Sequence, residues 1–262
     1  EHAPSPVVQA EPGLVICRDE GADHHFALSA GQDSHYREKY AKFATSTDFG
    51  FSVGSRAPGL AGAGHDSSLA LRGEGGEFRS RASVAETAVE GTTLYSRWEP
   101  WPDVSVETWL APDLPWHVRL HRLETDRTLE VAEGGFPLER AGGDGDAERR
   151  TGPGTAYART PGGTGGLLDL RDDREGRIVD QDPNTNLRYP RTTVPTLIGE
   201  YDPGTAWLAT AVTAARAGGD DQWAAPPVLD DDGGNPVIRG ADGDVLLRCD
   251  ADAPGSLAEF PE

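Results

Sequence analysis

The stretch VSVETWLAPDLPWHVRLHRL, residues 104–123, decides the fold. Val104, Val106, Thr108 and Leu110 fall on one face of its first run, and in its last run Trp116, Val118 and Leu120 alternate with His117, Arg119 and His121. A period of two puts successive side chains on opposite faces of a β-strand, whereas a helix would need apolar residues three and four apart. Between the runs, Ala111-Pro112-Asp113-Leu114-Pro115 reads as a compact loop, so the two predict an antiparallel hairpin of the kind that fills the middle of a large sheet.

Short alternating or β-branched runs recur elsewhere: GLVICRDE (13–20), HHFALSA (24–30), SSLALR (67–72) and EFRSRASVAE (77–86). Gly, Pro and Asp clusters separate them at intervals that suit a sandwich or barrel rather than βαβ units. The Ala-rich TAWLATAVTAARA (205–217) admits a helix, but it alternates and follows the turn signal Asp202-Pro203-Gly204, so a strand is expected. The fold class is therefore all-β, a large antiparallel β-sandwich with few or no helices. Residues 141–155, 218–222 and 230–236 are too rich in Gly and Asp to be expected as strands. Residues 1–12, with Pro4, Pro6 and Pro12, read as a linker from a missing N-terminal domain, 13–252 as the sandwich and 253–262 as a tail.

The chain has 262 residues and no Met, so a processed or excised piece of a longer chain is expected. Its 44 Asp+Glu against 24 Lys+Arg give a net charge of -20, which argues against nucleic acid and against an anionic membrane surface as partners. It contains no apolar run of spanning length and no visible secretory signal, which favours a soluble, cytoplasmic setting. Cys17 and Cys249 lie near opposite ends; two buried thiols or one disulfide between terminal strands both fit. No spacing suggests a zinc site, a phosphate-binding loop or a nucleophile elbow, so no cofactor and no metal are expected.

HYREKYAKFATSTDFGFSV (35–53) resembles a motif of the domain of unknown function family 2264, in which Lys-Tyr-x-Lys-Phe precedes a Phe-Gly-Phe strand. PWHVRLHRLETDRTLEVAEGGF (115–136) and NTNLRYPRTTVPTLIGEYDPGTAWLATAV (184–212) resemble two further motifs in the family's order. The resemblance implies a parent in which an N-terminal (α/α) toroid precedes a β-sandwich, a layout similar to several polysaccharide lyases and glycoside hydrolases. Some relatives are similar to β-glucuronidases. It implies for this chain the C-terminal sandwich of a carbohydrate-active enzyme, acting with its toroid on an oligo- or polysaccharide, uronic-acid-containing glycans being one such class. A non-catalytic carbohydrate-binding or scaffolding domain is the alternative. In that layout most catalytic groups belong to the toroid, so no catalytic residue carries over and the piece alone is not expected to turn over substrate.

Three groups of residues are candidates for substrate binding. His117, Arg119 and His121 share one strand face, where a guanidinium clamp and an imidazole would suit a sugar carboxylate; the alternative is an outer face that is solvated or docks on the toroid. His35, Tyr36, Lys39, Tyr40 and Lys42 form the one lysine-bearing, aromatic-rich cluster, whose rings would pack on sugars unless Tyr40 belongs to the core. Asn184, Asn186, Arg188 and Arg191 sit in a polar bend bracketed by Pro183 and Pro190. Trp98, Trp101, Trp109 and Trp116 are expected in the core more than on a sugar platform, and Asp230, Asp231 and Asp232 lack the alternating ligands of a calcium loop.

Overall fold

The computed structural model describes residues 7–9, 14–19, 24–29, 69–75, 78–79, 86–90, 93–113, 116–134, 138–139, 148–152, 155–160, 163–171, 177–181, 192–216, 225–232 and 235–249. Among these residues there is no helix, so none is long and apolar enough to cross a membrane, and every strand pairing is antiparallel. The protein is an all-β sandwich.

Strands are numbered in chain order. A three-stranded sheet holds β1 (Val7–Gln9), β2 (Leu14–Asp19) and β3 (His24–Ser29). A six-stranded sheet is built from β4 (Leu69–Gly73), β5 (Phe78–Arg79), β10 (Leu129–Gly134), β11 (Leu138–Glu139), β15 (Arg177–Gln181) and β16 (Thr192–Tyr201). The largest sheet has eight strands: β6 (Glu86–Glu90), β7 (Thr93–Trp101), β8 (Val104–Asp113), β9 (Trp116–Thr125), β12 (Glu148–Gly152), β13 (Thr155–Thr160), β14 (Gly163–Asp169) and β17 (Gly204–Arg216). Its order is β12-β13-β14-β17-β9-β8-β7-β6, which puts the expected hairpin β8–β9 next to β17 in the interior of the sheet. A last three-stranded sheet holds β18 (Val228–Asp232), β19 (Asn235–Arg239) and β20 (Val245–Arg248).

The hairpin's two faces have different partners. Leu94, Val106, Leu110, Leu123 and Leu208 line one face and are buried, as are Leu69, Leu71, Leu129, Val131 and Leu197 of the six-stranded sheet opposite. On the other face Tyr95, Trp109, Ala111, Val118, Leu120 and Ala209 pack with Ile238, Leu247 and Cys249 of the C-terminal sheet. At roughly 1.5–3 kcal/mol per buried Leu, Val or Ile side chain, both contacts are major sources of stability. The eight-stranded sheet is thus covered on both sides around β8 and β9.

Several expectations change. Asp230, Asp231, Asp232, Asn235 and Pro236 are strand residues, because Gly233-Gly234 joins β18 to β19, with Asp232 opposite Asn235. Only two residues separate these paired strands in the sequence, and Gly and Asp are common in such short links, so their abundance does not exclude strands on either side. Likewise Glu148–Gly152 pairs with β13 although it lies in a stretch read as strand-free. Val7–Gln9, inside the stretch read as linker, adds a strand to β2. Cys249 is a buried free thiol, in keeping with the thiol reading over the disulfide. Strand β17 is present as expected, and Gly204 at its start has φ 137°, a left-handed conformation that disfavours any side chain.

Candidate functional site

Strand β9 carries the polar row that the sequence singles out. Cross-strand register places Thr108 of β8 opposite His121, and Thr210 of β17 opposite Arg119, so all four share one face. That face looks inward, onto β10 of the six-stranded sheet, where Glu133 follows Leu129 and Val131 at a spacing of two. Arg119 Nε lies 2.9 Å from Glu133 Oε1, and His121 Nε2 lies 2.9 Å from the same oxygen. Arg119 Nε also donates to Thr210 Oγ1 at 3.3 Å, and His121 Nδ1 lies 2.8 Å from Thr108 Oγ1. The expectation of a solvated or toroid-facing row is therefore corrected: Arg119, His121 and Glu133 are each 0% exposed. The physical reason is the second sheet, which covers this face and supplies the counter-charge.

Burial pushes the Glu133 carboxyl up, but the Arg119 guanidinium and the His121 ring beside it outweigh burial and hold it below the ordinary carboxylate range. Arg119 is pulled down by burial, with Glu133 opposing. The pair stays ionised, since a guanidinium does not lose its proton in proteins. Thr108, His121 and Glu133 stand in the order hydroxyl, imidazole, carboxylate, at distances that a nucleophile, base and orienting acid would have. Thr108 is only 2% exposed and sits mid-strand between two sheets, so no substrate in solvent reaches its oxygen. The arrangement joins the sheets and does not open a chemical site.

A second polar group lies on the opposite face. The Tyr95 hydroxyl donates to Glu107 Oε1 at 2.7 Å, while Arg122 donates through Nη1 to Glu107 Oε2 at 2.9 Å and through Nη2 to Glu124 Oε1 at 2.5 Å. Tyr95, Trp109 and Trp207 form a line of rings with centroids 5.5 and 5.9 Å apart. The nearby Cys249 thiol is pushed up by burial first and by Glu107 second, with Arg122 opposing, which keeps it protonated and unreactive.

The end of the sandwich formed by the β7–β8, β9–β10 and β16–β17 turns holds a partly exposed ion pair, Arg127 with Asp103, and a buried one, Arg171 with Asp169. Arg127 donates through Nε and Nη2 to Asp103 at 2.6 and 2.5 Å and lies 5.3 Å from the centroid of the half-buried Trp101 ring. The hydrogen bond from Arg127 holds the Asp103 carboxyl below its usual range. Arg171 is gripped by both oxygens of Asp169, at 2.9 and 2.7 Å, and donates to the Tyr201 hydroxyl. Gly199 makes room for that tyrosine: a Cβ there would stand 3.0 Å from Tyr201 Cε2 and 3.1 Å from its hydroxyl. The sequence reading missed Asp103, Arg127, Asp169, Arg171 and Tyr201. Asp103 was visible as an acid directly after Trp101-Pro102, but nothing in the spacing joined it to Arg127.

Of the remaining candidates, His117 lies on β9 on the same strand face as Arg119, and its side chain is outside the described residues. His35, Tyr36, Lys39, Tyr40 and Lys42, together with Asn184, Asn186, Arg188 and Arg191, also lie outside the described residues. Trp109 and Trp116 are buried, as expected of core residues. Among the described residues, no three His, Cys, Asp or Glu side chains are grouped so as to hold a metal.

The family model of the DUF2264 C-terminal domain matches residues 4–229, a span that includes the three motifs noted in the sequence. The chain belongs to this family. No curated protein matches it by sequence. Among solved structures, it is similar to a mutant heparan sulfate lyase HepC from Pedobacter heparinus, with 12% identity and a TM-score of 0.59, over 95% of this chain and 43% of that one. A structure titled heparinase III is similar at 9% identity and a TM-score of 0.58, over 93% of this chain and 42% of that one. A further heparinase III gene product, with methylated lysines, gives 10% identity and a TM-score of 0.55, over 92% and 41%. The chain thus spans less than half the length of these structures. At such identities the likeness is one of fold.

Proposed function

We propose that this chain is the β-sandwich half of a carbohydrate-active enzyme that cleaves glycosidic bonds by hydrolysis or elimination. An (α/α) toroid of the same parent holds most of the reacting groups. The observation that carries the proposal is the span of the likeness: nearly all of this chain fits within less than half of enzymes named for heparan sulfate or heparin cleavage. The sandwich supplies a wall and positioning groups. Arg119 and His121 are withdrawn from that role by their burial, which leaves His35, Tyr36, Lys39, Tyr40, Lys42, His117, Asn184, Asn186, Arg188 and Arg191 as the groups proposed to meet sugar.

The experiment compares the full-length parent with this chain alone on uronic-acid-containing oligosaccharides, following new reducing ends and the ultraviolet absorbance of an unsaturated uronate. Cleavage by the parent and none by the isolated chain is expected. Turnover by the isolated chain would contradict the division of labour, and glycan binding without cleavage by the parent would favour the non-catalytic alternative.

A further inference from the structure

On the face of the eight-stranded sheet that turns toward the C-terminal sheet, the cover stops short of the strand ends. Cross-strand register sets Arg97 of β7, Glu107 of β8, Arg122 of β9 and Trp207 of β17 side by side in one row. In the next row toward the β7–β8 and β16–β17 turns, Ser105 and Thr205 flank Glu124, and Glu99 lies within 3.5 Å of Arg97. One row the other way, Tyr95, Trp109, Leu120 and Ala209 are buried with residues of the C-terminal sheet. Exposure rises along the strands: the Glu107 and Arg122 side chains are 4% and 9% exposed, against 48% for Glu124, 42% for Arg97 and 64% for Glu99.

The groups that emerge are held in place. Trp207 is half-buried, and its ring is backed by the Trp109 ring at 5.9 Å with an interplanar angle of 30°. Arg122 donates to Glu107 at 2.9 Å and to Glu124 at 2.5 Å, which fixes both carboxylates. A fixed indole beside fixed hydrogen-bonding groups suits a pyranose, whose C–H face packs on a ring while its hydroxyls donate and accept, and pre-organised groups lose little freedom on binding. Apart from Trp207, the side chains exposed in these two rows are charged or hydroxylated, unlike the aromatic-rich, charge-poor centre of a protein interface. Within the strip Glu99, Glu107 and Glu124 stand against Arg97 and Arg122, and each guanidinium already pairs with at least one of those carboxylates, so a sugar without negative charge fits there best. We propose that this strip binds an uncharged stretch of an oligosaccharide, with Trp207 as the stacking ring and Glu124 and Arg97 bonded to hydroxyls. The inference rests on the carbohydrate-active reading above for the class of ligand and adds a binding surface to it.

The test is calorimetry, paired with tryptophan emission, on this chain and on the full-length parent. The probes are cellohexaose, xylohexaose, mannohexaose and the hexamer of galacturonic acid. At least one neutral hexamer is expected to bind both proteins with Kd below about 1 mM and to change the emission, and the galacturonate hexamer to bind about tenfold more weakly or not at all. Trp207→Ala is expected to weaken binding about tenfold or more. Because Trp207 also packs on Trp109, Glu124→Ala serves as the second variant: it should weaken binding about threefold to tenfold with the unfolding midpoint hardly moved. The inference is overturned by no binding of any neutral probe, by equal binding of galacturonate, or by binding that neither variant weakens. Binding by this chain that is lost in the parent also overturns it, since the strip would then be covered by the rest of the parent. A parent that binds but cleaves no glycan sinks the proposed function and leaves this inference standing.

Discussion

The two faces of the β8–β9 hairpin are both buried, yet they are held in different ways. Toward the six-stranded sheet, Arg119 and His121 converge on one oxygen of Glu133, and Thr108 bonds the far side of the His121 ring. Toward the C-terminal sheet, Trp109, Leu120 and Val118 pack on Ile238 and Leu247, and beside them Glu107 and Arg122 form one buried ion pair. Apolar packing is tolerant, since a neighbour can shift to fill part of a gap. A buried ion network is not tolerant, because removing one member leaves another charged in a medium that cannot solvate it. The first face is therefore expected to be the more sensitive to loss of a single side chain, and the second to contribute mostly area.

The largest expected effect comes from breaking the ionic face. Glu133→Gln leaves the Arg119 guanidinium buried without its anion and is expected to cost about 3–5 kcal/mol in denaturant unfolding. The same variant gives a pH signature. Glu133 is held below its ordinary value of 4.5, so its contribution to stability is present above that pH and is lost as pH falls through the lower folded value. Acid unfolding of the variant should begin from lower stability but show a flatter slope in that window. An unchanged slope would mean that other carboxylates dominate.

Breaking the apolar face should cost somewhat less. Leu247→Ala is expected to lose about 2–5 kcal/mol, accompanied by a red shift of tryptophan emission as water approaches Trp109. Loss of stability without the shift would indicate that the C-terminal sheet covers the rings less closely than their burial implies. Gly199→Ala sharpens the picture at the sandwich end. Its new methyl meets the Tyr201 ring at 3.0 Å, and an overpacking cost of about 1–3 kcal/mol is expected. Tyr201→Leu in the same background should recover part of it. The smallest effect is expected at Asp103→Asn, because exposed ion pairs contribute little to stability; the denaturation midpoint should hardly move.

This ranking also explains what the sequence made legible. The hairpin and β17 could be read because alternation is a local property of the backbone, and Trp116, Val118 and Leu120 fall on the face that alternation assigns them. Alternation does not say which face meets water, and where a sheet is covered on both sides neither does. The missing signal was in LEVAEG, where Glu133 continues the apolar face of Leu129 and Val131. An acid in an apolar register calls for a base in another, and Arg119 in the middle of a predicted interior strand was that base. At Asp232-Gly233-Gly234-Asn235 the error was different: a composition typical of loops was also that of a two-residue link between paired strands. The Asp103–Arg127 and Arg171–Tyr201 contacts join residues far apart in sequence, and only the sheet register brings them together.

The central claim is that Arg119 and His121 of β9 bind the two sheets together, while the residues proposed to meet sugar lie elsewhere. The most direct measurement is kcat/KM of the full-length parent on its glycan for two variants, taken at a temperature where both are folded. His121→Gln keeps a donor toward Glu133 and is expected to leave kcat/KM within about twofold of the unaltered enzyme while lowering the unfolding midpoint. His35→Ala is expected to lower kcat/KM by about tenfold to a hundredfold with the midpoint unchanged. The reverse pattern, with activity lost at His121 and retained at His35, would contradict the account.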